Sequence, residues 1–170
     1  MGQNKVIEVF FEEPNRVFQI RELSRSIKVP KSTVVRKLNE LKKQNLIQKR
    51  AKGFIANESY SKYRVMKKLL FLDKIYNSGL IPYLEEQFNP RCIILFGSFS
   101  KGEYHKESDI DIFIQSKEGE CNLKKIERFL KHRIHPIFYD KFSDIGDELF
   151  NNIINGIKLS GYIKLRWKKS

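Results

Sequence analysis

The feature that most limits how this chain can fold is a pair of short apolar segments, RCIILF at 91–96 and DIDIFI at 109–114. The first segment is almost entirely apolar, which is typical of a strand buried on both faces. In the second, three isoleucines alternate with Asp109 and Asp111. This alternation places both carboxylates on the same face of a strand, about 7 Å apart. The two segments therefore predict a small sheet that carries acidic groups on one strand.

Two carboxylates at this spacing repel each other unless a cation neutralises them. Carboxylate oxygens are ligands that Mg²⁺ prefers, so Asp109 and Asp111 are candidate metal ligands. Gly97-Ser98 directly follows the first apolar segment. A sharp turn of this kind offers backbone N–H groups and a hydroxyl to phosphate oxygens. The stretch therefore predicts binding of a metal-bound triphosphate.

The segment GSFSKGEYHKESDIDIF resembles the signature of the minimal nucleotidyltransferases of the DNA polymerase β superfamily, which is Gly-Ser, ten residues, then Asp-x-Asp. The resemblance covers about residues 80–163. The alternative, two exposed aspartates at a strand edge, would not require the Gly-Ser pair. The positions that fit the signature are Gly97, Ser98, Lys101, Gly102, Ser108, Asp109 and Asp111.

The resemblance implies transfer of a nucleotide, with AMP expected, from a nucleoside triphosphate to a hydroxyl, with release of pyrophosphate. Asp109 and Asp111 would act in catalysis by holding two Mg²⁺ ions that bridge the phosphates. Small members of this superfamily often resemble antitoxins that modify a neighbouring toxin, so a protein such as a cognate toxin is an expected acceptor. Four residues would bind the nucleotide: Gly97, Ser98, Lys101 and Ser108.

One position departs from the family pattern, which has a third carboxylate on a later strand. The candidate strand is RIHPIFYD at 133–140, where His135 occupies that position and Pro136 predicts an irregular or edge strand. Mg²⁺ prefers oxygen ligands, so one of the two ions would be held weakly. An imidazole exchanges its proton near neutral pH, so His135 could act as a catalytic base. Alternatively, it is a polar residue in a site with little or no activity. Asp140 is near but lies beyond the strand, so we do not assign it as the replacement carboxylate.

Positive charge is concentrated in the first half of the chain. Residues 1–76 hold 18 Lys and Arg against 7 Asp and Glu, a formal charge of +11, whereas residues 77–170 hold 15 against 13, a charge of +2. Scattered surface lysines would not produce this asymmetry. It predicts a polyanionic partner for the first half.

The first half shows three helical patterns followed by a β-prone segment. Apolar residues recur at helical spacing in 4–13, 18–27 and 31–45, and LIQKRAKGFIAN at 46–57 is typical of a hairpin with a basic turn. Pro30 suits the first position of the third helix. The residues expected to face the core in that helix are Val34, Val35, Leu38 and Leu41.

Three helices and a basic hairpin resemble a winged helix-turn-helix domain over about residues 3–60, and the resemblance implies binding of double-stranded DNA. In that family the third helix enters the major groove and the hairpin contacts the backbone. The alternative is a domain used only for protein contacts, with the basic residues solvated. The third-helix candidates are Lys31, Ser32, Thr33, Arg36 and Lys37, and the hairpin candidates are Lys49, Arg50 and Lys52.

Residues 58–76 predict a long helix with more apolar surface than a linker needs, so it packs on both domains or pairs with a second copy in a homodimer. The predicted domains are a winged helix-turn-helix at 1–76 and a small mixed-sheet α/β nucleotidyltransferase at 77–170, an α+β chain. No apolar stretch predicts a membrane span or a signal peptide, and the two cysteines have no metal spacing. We therefore expect a cytoplasmic protein with reduced thiols.

Two functions follow from the sequence. The first is a nucleotidyltransferase with an attached DNA-binding domain. The second is a DNA-binding transcriptional regulator whose nucleotidyltransferase-like domain is inactive and serves nucleotide sensing or dimerisation. The two functions differ in the role that they give to His135, which is a catalytic base in the first and has no catalytic role in the second.

Overall fold

The computed structural model describes residues 4–164, which pack into two compact units. The first unit runs to Lys67 and includes the later segment 104–106, and the second runs from Lys68 onward without that segment. The division falls inside a long helix that ends at Asn77, close to the predicted junction. The second unit therefore begins before the predicted boundary.

The first unit contains three helices, a two-stranded hairpin and the first part of a fourth helix. Four apolar side chains of the first helix are buried, which confirms the helical periodicity predicted there. Its elements are α1 (Lys5–Glu12), α2 (Ile20–Ser26), α3 (Lys31–Lys43), β1 (Ile47–Arg50), β2 (Gly53–Ala56) and the start of α4 (Ser61–Asn77).

The hairpin is antiparallel, as predicted, and pairs Ile47 with Ala56 and Arg50 with Gly53. Phe18 adds a short bridge to β2, because its N–H and C=O both bond Phe54 at 2.8 and 2.9 Å. A Cβ on Gly53 would overlap the carbonyl oxygen of Phe18, so a glycine is required for this approach. The bridge fixes the hairpin against the segment that precedes α2.

Two expectations for α3 were wrong. Val35 was placed in the core with its neighbours, but its side chain is 39% exposed. Val34, Leu38 and Leu41 do form the buried face, and Val35 lies at the edge of that face. Pro30 precedes the helix as its N-terminal cap instead of forming its first residue.

The second unit contains a four-stranded sheet flanked by helices. Its elements are the remainder of α4, α5 (Leu80–Phe88), β3 (Cys92–Phe96), α6 (Gly97–Lys101), β4 (Ile110–Ile114), α7 (Lys124–Leu130), β5 (Ile134–Phe138), a 3₁₀ turn (Phe142–Asp144), α8 (Asp147–Ile154) and β6 (Ile157–Gly161).

The strand order is β5-β4-β3-β6, with β4 parallel to β5 and antiparallel to β3. β3 is also antiparallel to β6, so the sheet is mixed and the chain has the predicted α+β class. All five residues of β3 are buried, as expected for a central strand. β5 lies at the edge of this sheet, where a proline such as Pro136 is tolerated.

One face of the sheet packs on α8 and the 3₁₀ turn through a core that includes Ile94, Phe113 and Ile153. Cys92 belongs to this core, and burial raises the pKa of its thiol to about 11, so it stays protonated at neutral pH. Helical spacing with Ile126 and Leu130 predicts that Phe129 of α7 is buried, but it is 54% exposed. Among residues 4–164, no helix is long and apolar enough to cross a membrane.

Candidate active site and candidate nucleic-acid interface

The end of β3 and the start of β4 bring the predicted Gly-Ser and Asp-x-Asp residues together. Asp111 is the register partner of Phe96, the residue before Gly97. Gly97 has φ of +68°, and a Cβ there would come closer than 3.0 Å to Oδ2 of Asp111. Only glycine suits both the left-handed backbone and the carboxylate packed against it.

β5 places His135 directly beside Asp111. The two residues are register partners on parallel strands, and His135 Nδ1 lies 3.2 Å from Asp111 Oδ1. An ionised carboxylate has no proton to donate, so Nδ1 carries the hydrogen and donates it to Oδ1. In the neutral ring this leaves the lone pair on Nε2, which can accept a proton.

Asp109 precedes β4 and is exposed, whereas the Asp111 side chain is 29% exposed. The start of β4 is fixed by two hydrogen bonds: Ile110 N–H donates to the Arg133 carbonyl at 2.8 Å, and His132 Nδ1 donates to the Ser108 carbonyl at 2.9 Å. The structure therefore positions Ser108 through its backbone, next to the two carboxylates.

Neither His132 nor His105 has a partner at metal-ligand spacing in the sequence, which predicts solvated side chains, but His132 is only 7% exposed and its ring packs edge-on against Phe99. Its role in holding the backbone before Asp109 has no signal in the sequence, because it depends on the helix and strand that enclose the ring. His105 is exposed, as expected.

The Gly-Ser pair opens the short helix α6 instead of forming an isolated turn. Ser98 is its second residue and partly buried, and Lys101 is its last residue and exposed. Gly102 ends the helix with φ of +73°, the left-handed conformation typical of a helix C-terminus. Three of the four nucleotide-binding candidates, Gly97, Ser98 and Lys101, thus lie on one turn of helix that begins beside Asp111, and Ser108 lies just before β4.

The loop between the two parts of the signature belongs to the first unit. Lys106 N–H donates to the carbonyl of Glu12 at 2.9 Å. The buried Lys67 ammonium donates to the carbonyl of Tyr104 and lies 4.4 Å from the centre of its ring. Burial also raises the pKa of the Tyr104 hydroxyl far above its usual range. The segment 104–106 is therefore held by packing, a buried cation and a backbone hydrogen bond.

The donor set suits a metal that arrives with phosphate oxygens. In residues 4–164, no three His, Cys, Asp or Glu side chains form a metal-binding cluster. Mg²⁺ is commonly bound by one or two carboxylates together with substrate phosphates. Asp109 and Asp111 supply such a pair, while His135 occupies one oxygen of Asp111 by hydrogen bonding.

In the first unit, basic residues from three elements line a groove of about 620 Å³, here called the hairpin groove. Of the DNA-binding candidates, Lys31, Lys49, Arg50 and Lys52 line it together. Arg21, at the second position of α2, also lines it and was missed by the sequence argument. Its position at the start of a helix that precedes α3 is the signal that could have found it.

The remaining DNA-binding candidates are outside the lining of the hairpin groove. Arg36 and Lys37 both pair with Glu40, at 3.0 and 3.2 Å. Ser32 is exposed and Thr33 partly buried in the first turn of α3. The exposed Val35, by contrast, does line the groove, which gives this face of α3 an apolar contact surface.

Comparison with known proteins agrees with the fold of the second unit. Residues 78–155 match the family model described as polymerase beta, nucleotidyltransferase. This match supports a nucleotidyltransferase-type fold for that part of the chain. No curated protein and no solved structure matches the chain.

Proposed function

We propose that the second unit transfers a nucleotide, AMP in the first instance, from a nucleoside triphosphate to a hydroxyl group, and that the first unit binds double-stranded DNA. The observation that carries the enzymatic part is the juxtaposition of Asp111 with Gly97 on one side and His135 on the other. A carboxylate pair, a glycine that admits a close approach and a positioned imidazole are suited to phosphoryl chemistry.

Each of these groups has a part in the proposed reaction. Nε2 of His135 accepts the proton of the acceptor hydroxyl, whose oxygen attacks the α-phosphorus. The new oxygen–phosphorus bond forms as the bond to the bridging oxygen breaks, and that oxygen leaves with its electron pair in pyrophosphate. Ser98 and Lys101 bind the phosphates of the triphosphate from α6. The Nδ1–Oδ1 hydrogen bond keeps the imidazole in the orientation in which Nε2 is the accepting atom.

Magnesium is the cofactor that fits this donor set. Asp109 and Asp111 would hold it, and it would supply charge neutralisation for the phosphates. The family pattern implies two ions, and the one that a third carboxylate would hold is expected to be the weaker here. The chain's own contribution is the position of the two carboxylates at the start of β4.

A second candidate function is supported by the same donor set. Because no third acidic ligand joins Asp109 and Asp111 within the described residues, the second unit would bind a metal-triphosphate without turning it over. The protein would then be a DNA-binding regulator that senses a nucleotide or pairs with a second copy. Two exposed apolar residues in the part of α4 that belongs to the second unit, Leu69 and Tyr76, are the surface we propose for such a homodimer.

For the first unit, the hairpin groove supports contact with a DNA backbone. Lysines and arginines from α2, α3 and the hairpin converge there, and neutralised phosphates supply most of the affinity of such contacts. By analogy with small nucleotidyltransferases, we propose a cytoplasmic protein whose acceptor is a protein such as a cognate toxin encoded beside it. DNA binding would then regulate the shared operon.

The deciding experiment is incubation of the full-length protein with Mg²⁺ and each labelled nucleoside triphosphate, alone and with the protein encoded by the neighbouring gene. Pyrophosphate release and label on the acceptor are the two measurements. Transfer that is lost in the variant Asp109→Asn with Asp111→Asn, and kept in Asp147→Asn, supports the enzyme. Nucleotide binding without pyrophosphate release under all conditions supports the regulator.

A further inference from the structure

A second groove lies at the opposite end of the same sheet from the carboxylates. Arg91 precedes β3, Gln115 follows β4, Lys141 follows β5 and Tyr162 follows β6, and all four line a groove of about 850 Å³. The carboxylate site is at the other end of β3, a five-residue strand, and is therefore about 16 Å away. This groove, here called the sheet-end groove, is not part of the site described above.

The sheet-end groove combines cationic and aromatic groups. Of the described residues that line it, Arg91, Lys141 and Lys164 are basic and none is acidic. The three cations come from three separate segments of the chain, so they surround the groove instead of forming a single cluster. Because the unit as a whole is nearly neutral, this local excess of positive charge favours an anionic ligand.

The aromatic residues occupy two different positions in the groove. Phe142 and Phe150 pack against each other with ring centres 5.7 Å apart and are joined to the core beneath the sheet. Tyr162 is 63% exposed, and its position is fixed by the N–H that it donates to the Arg91 carbonyl at 3.0 Å. A fixed backbone with an exposed ring is suited to stacking against a flat partner.

These properties together select the chemical class of the ligand. Flat rings that alternate with phosphates are found in single-stranded nucleic acid, and proteins bind it with a cationic groove and aromatic platforms. A duplex keeps its bases stacked inside and presents only phosphates to such a surface. A mononucleotide carries its phosphates at one point, whereas the three cations here are distributed around the groove.

The chain's own C-terminal segment does not suit the groove by charge. The six residues after Lys164 are LRWKKS, with three basic residues and no acidic one, so they would be repelled by the three cations. An acidic peptide would satisfy the cations but would leave Tyr162 without a flat partner.

The geometry points to a single-stranded nucleic acid as the ligand of the sheet-end groove, with phosphates on Arg91, Lys141 and Lys164 and a base stacked on Tyr162. This site is separate from the proposed transfer reaction and does not depend on it. It also differs from the hairpin groove of the first unit, which we assign to duplex DNA.

The test is binding of labelled single-stranded RNA and DNA of about ten nucleotides to the full-length protein, measured by fluorescence anisotropy over a range of salt concentrations. Tyr162→Ala is expected to weaken binding by about 5-fold to about 150-fold, the range for loss of one stacked base. Tyr162→Phe keeps the ring and is expected to bind as the wild type does. Equal binding by Tyr162→Ala and the wild type would overturn the stacking assignment.

A charge-matched pair of variants locates the binding site. Lys141→Gln with Lys164→Gln is expected to lower the slope of log affinity against log salt by about 1.4, because each lost contact to a single strand removes about 0.7. Lys49→Gln with Lys52→Gln removes the same charge from the hairpin groove and is expected to leave the slope largely unchanged. An equal loss in both pairs, or tighter binding of AMP and UMP than of the strands, would overturn the proposal.

Discussion

Gly97 offers the sharpest test of the carboxylate site, because two separate costs arise from adding one methyl group. Its φ of +68° is a conformation that costs an L-residue about 1–2 kcal/mol. A Cβ at this position would also approach Oδ2 of Asp111 closer than 3.0 Å, so the carboxylate must move. Gly97→Ala therefore changes both the stability of the second unit and the geometry of the site.

The second cost is set by how freely Asp111 can move. Forcing extra volume against packed atoms costs typically about 1–3 kcal/mol. The Asp111 side chain is 29% exposed and can rotate toward solvent, so we expect the lower end of that range. Gly97→Ala should then lower the free energy of unfolding by about 2–3 kcal/mol in total.

Gly79 is the matched control for this substitution. It has φ of +79° in the same unit, but nothing lies within 4 Å of the position that its Cβ would take. Gly79→Ala should therefore cost only the conformational term, about 1–2 kcal/mol. The difference between the two variants, about 1 kcal/mol, isolates the displacement of the carboxylate.

The assay is urea unfolding of the full-length protein, measured for both variants with and without Mg²⁺ and ATP. A ligand present at about 100 times its Kd stabilises the folded state by about 2.7 kcal/mol. This increment should be lost in Gly97→Ala, because rotation of Asp111 breaks its bond to His135 and removes a metal ligand. It should persist in Gly79→Ala.

A double-mutant cycle identifies the cause of any difference. In an Asp111→Ala background the carboxylate is gone, so Gly97→Ala and Gly79→Ala should cost about the same. If the two alanine variants are equally destabilised in the wild-type background, and both keep the stabilisation by Mg²⁺ and ATP, the contact between Gly97 and Asp111 does not organise the site.

Four further predictions concern the carboxylate site and the DNA-binding candidates of the first unit. Asp109→Asn with Asp111→Asn should abolish the rise in melting temperature caused by Mg²⁺ with ATP while leaving the unliganded protein folded, and an unchanged rise would exclude both residues as ligands. His135→Asp should restore a third carboxylate and increase pyrophosphate release; without Mg²⁺ it should lower the melting temperature, because like charges face each other across the strands. A wild type with robust turnover that this substitution destroys would contradict this prediction, because a carboxylate would then be unable to replace the imidazole as the proton acceptor. Arg36→Ala should weaken binding of the protein to a specific operator by about 1–3 kcal/mol if Arg36 contacts a base. Lys49→Ala should weaken binding to all duplexes alike and lower the slope of log affinity against log salt by about 0.9. If the substitution instead changes the preference for one DNA sequence over another, Lys49 does not contact only the DNA backbone.

Local patterns predicted the elements of the fold well. The alternation around Asp109 and Asp111 identified β4, and the apolar run before Gly97 identified β3. Both were predictable because the order of apolar and polar residues along a strand reflects which of its faces are buried. Pro136 predicted an irregular or edge strand, because proline has no N–H to donate to a neighbouring strand, and β5 does lie at the edge of the sheet.

Features that depend on packing between distant elements were not predicted. Val35 and Phe129 fit the helical period as well as their buried neighbours, so periodicity alone could not show that they lie at the exposed edge of each apolar face. The burial of His132 depends on Phe99 and the strand start that it supports. The hydrogen bond of His135 to Asp111 needed the register of β4 with β5, which a sequence does not contain.

The loop at 104–106 has a consequence for how this protein can be divided. A cut in α4 would remove two hydrogen-bond partners from the first unit. One is the Tyr104 carbonyl, which accepts a hydrogen bond from the buried Lys67, and the other is the Lys106 N–H, which donates to the Glu12 carbonyl. The first unit therefore cannot be exchanged as residues 1–67 alone. A recombination event that joined these residues to a different second domain would leave the Lys67 ammonium with one hydrogen-bond acceptor fewer. A chimaera that contains the first unit should therefore also contain residues 104–106, inserted in a loop of the new second domain.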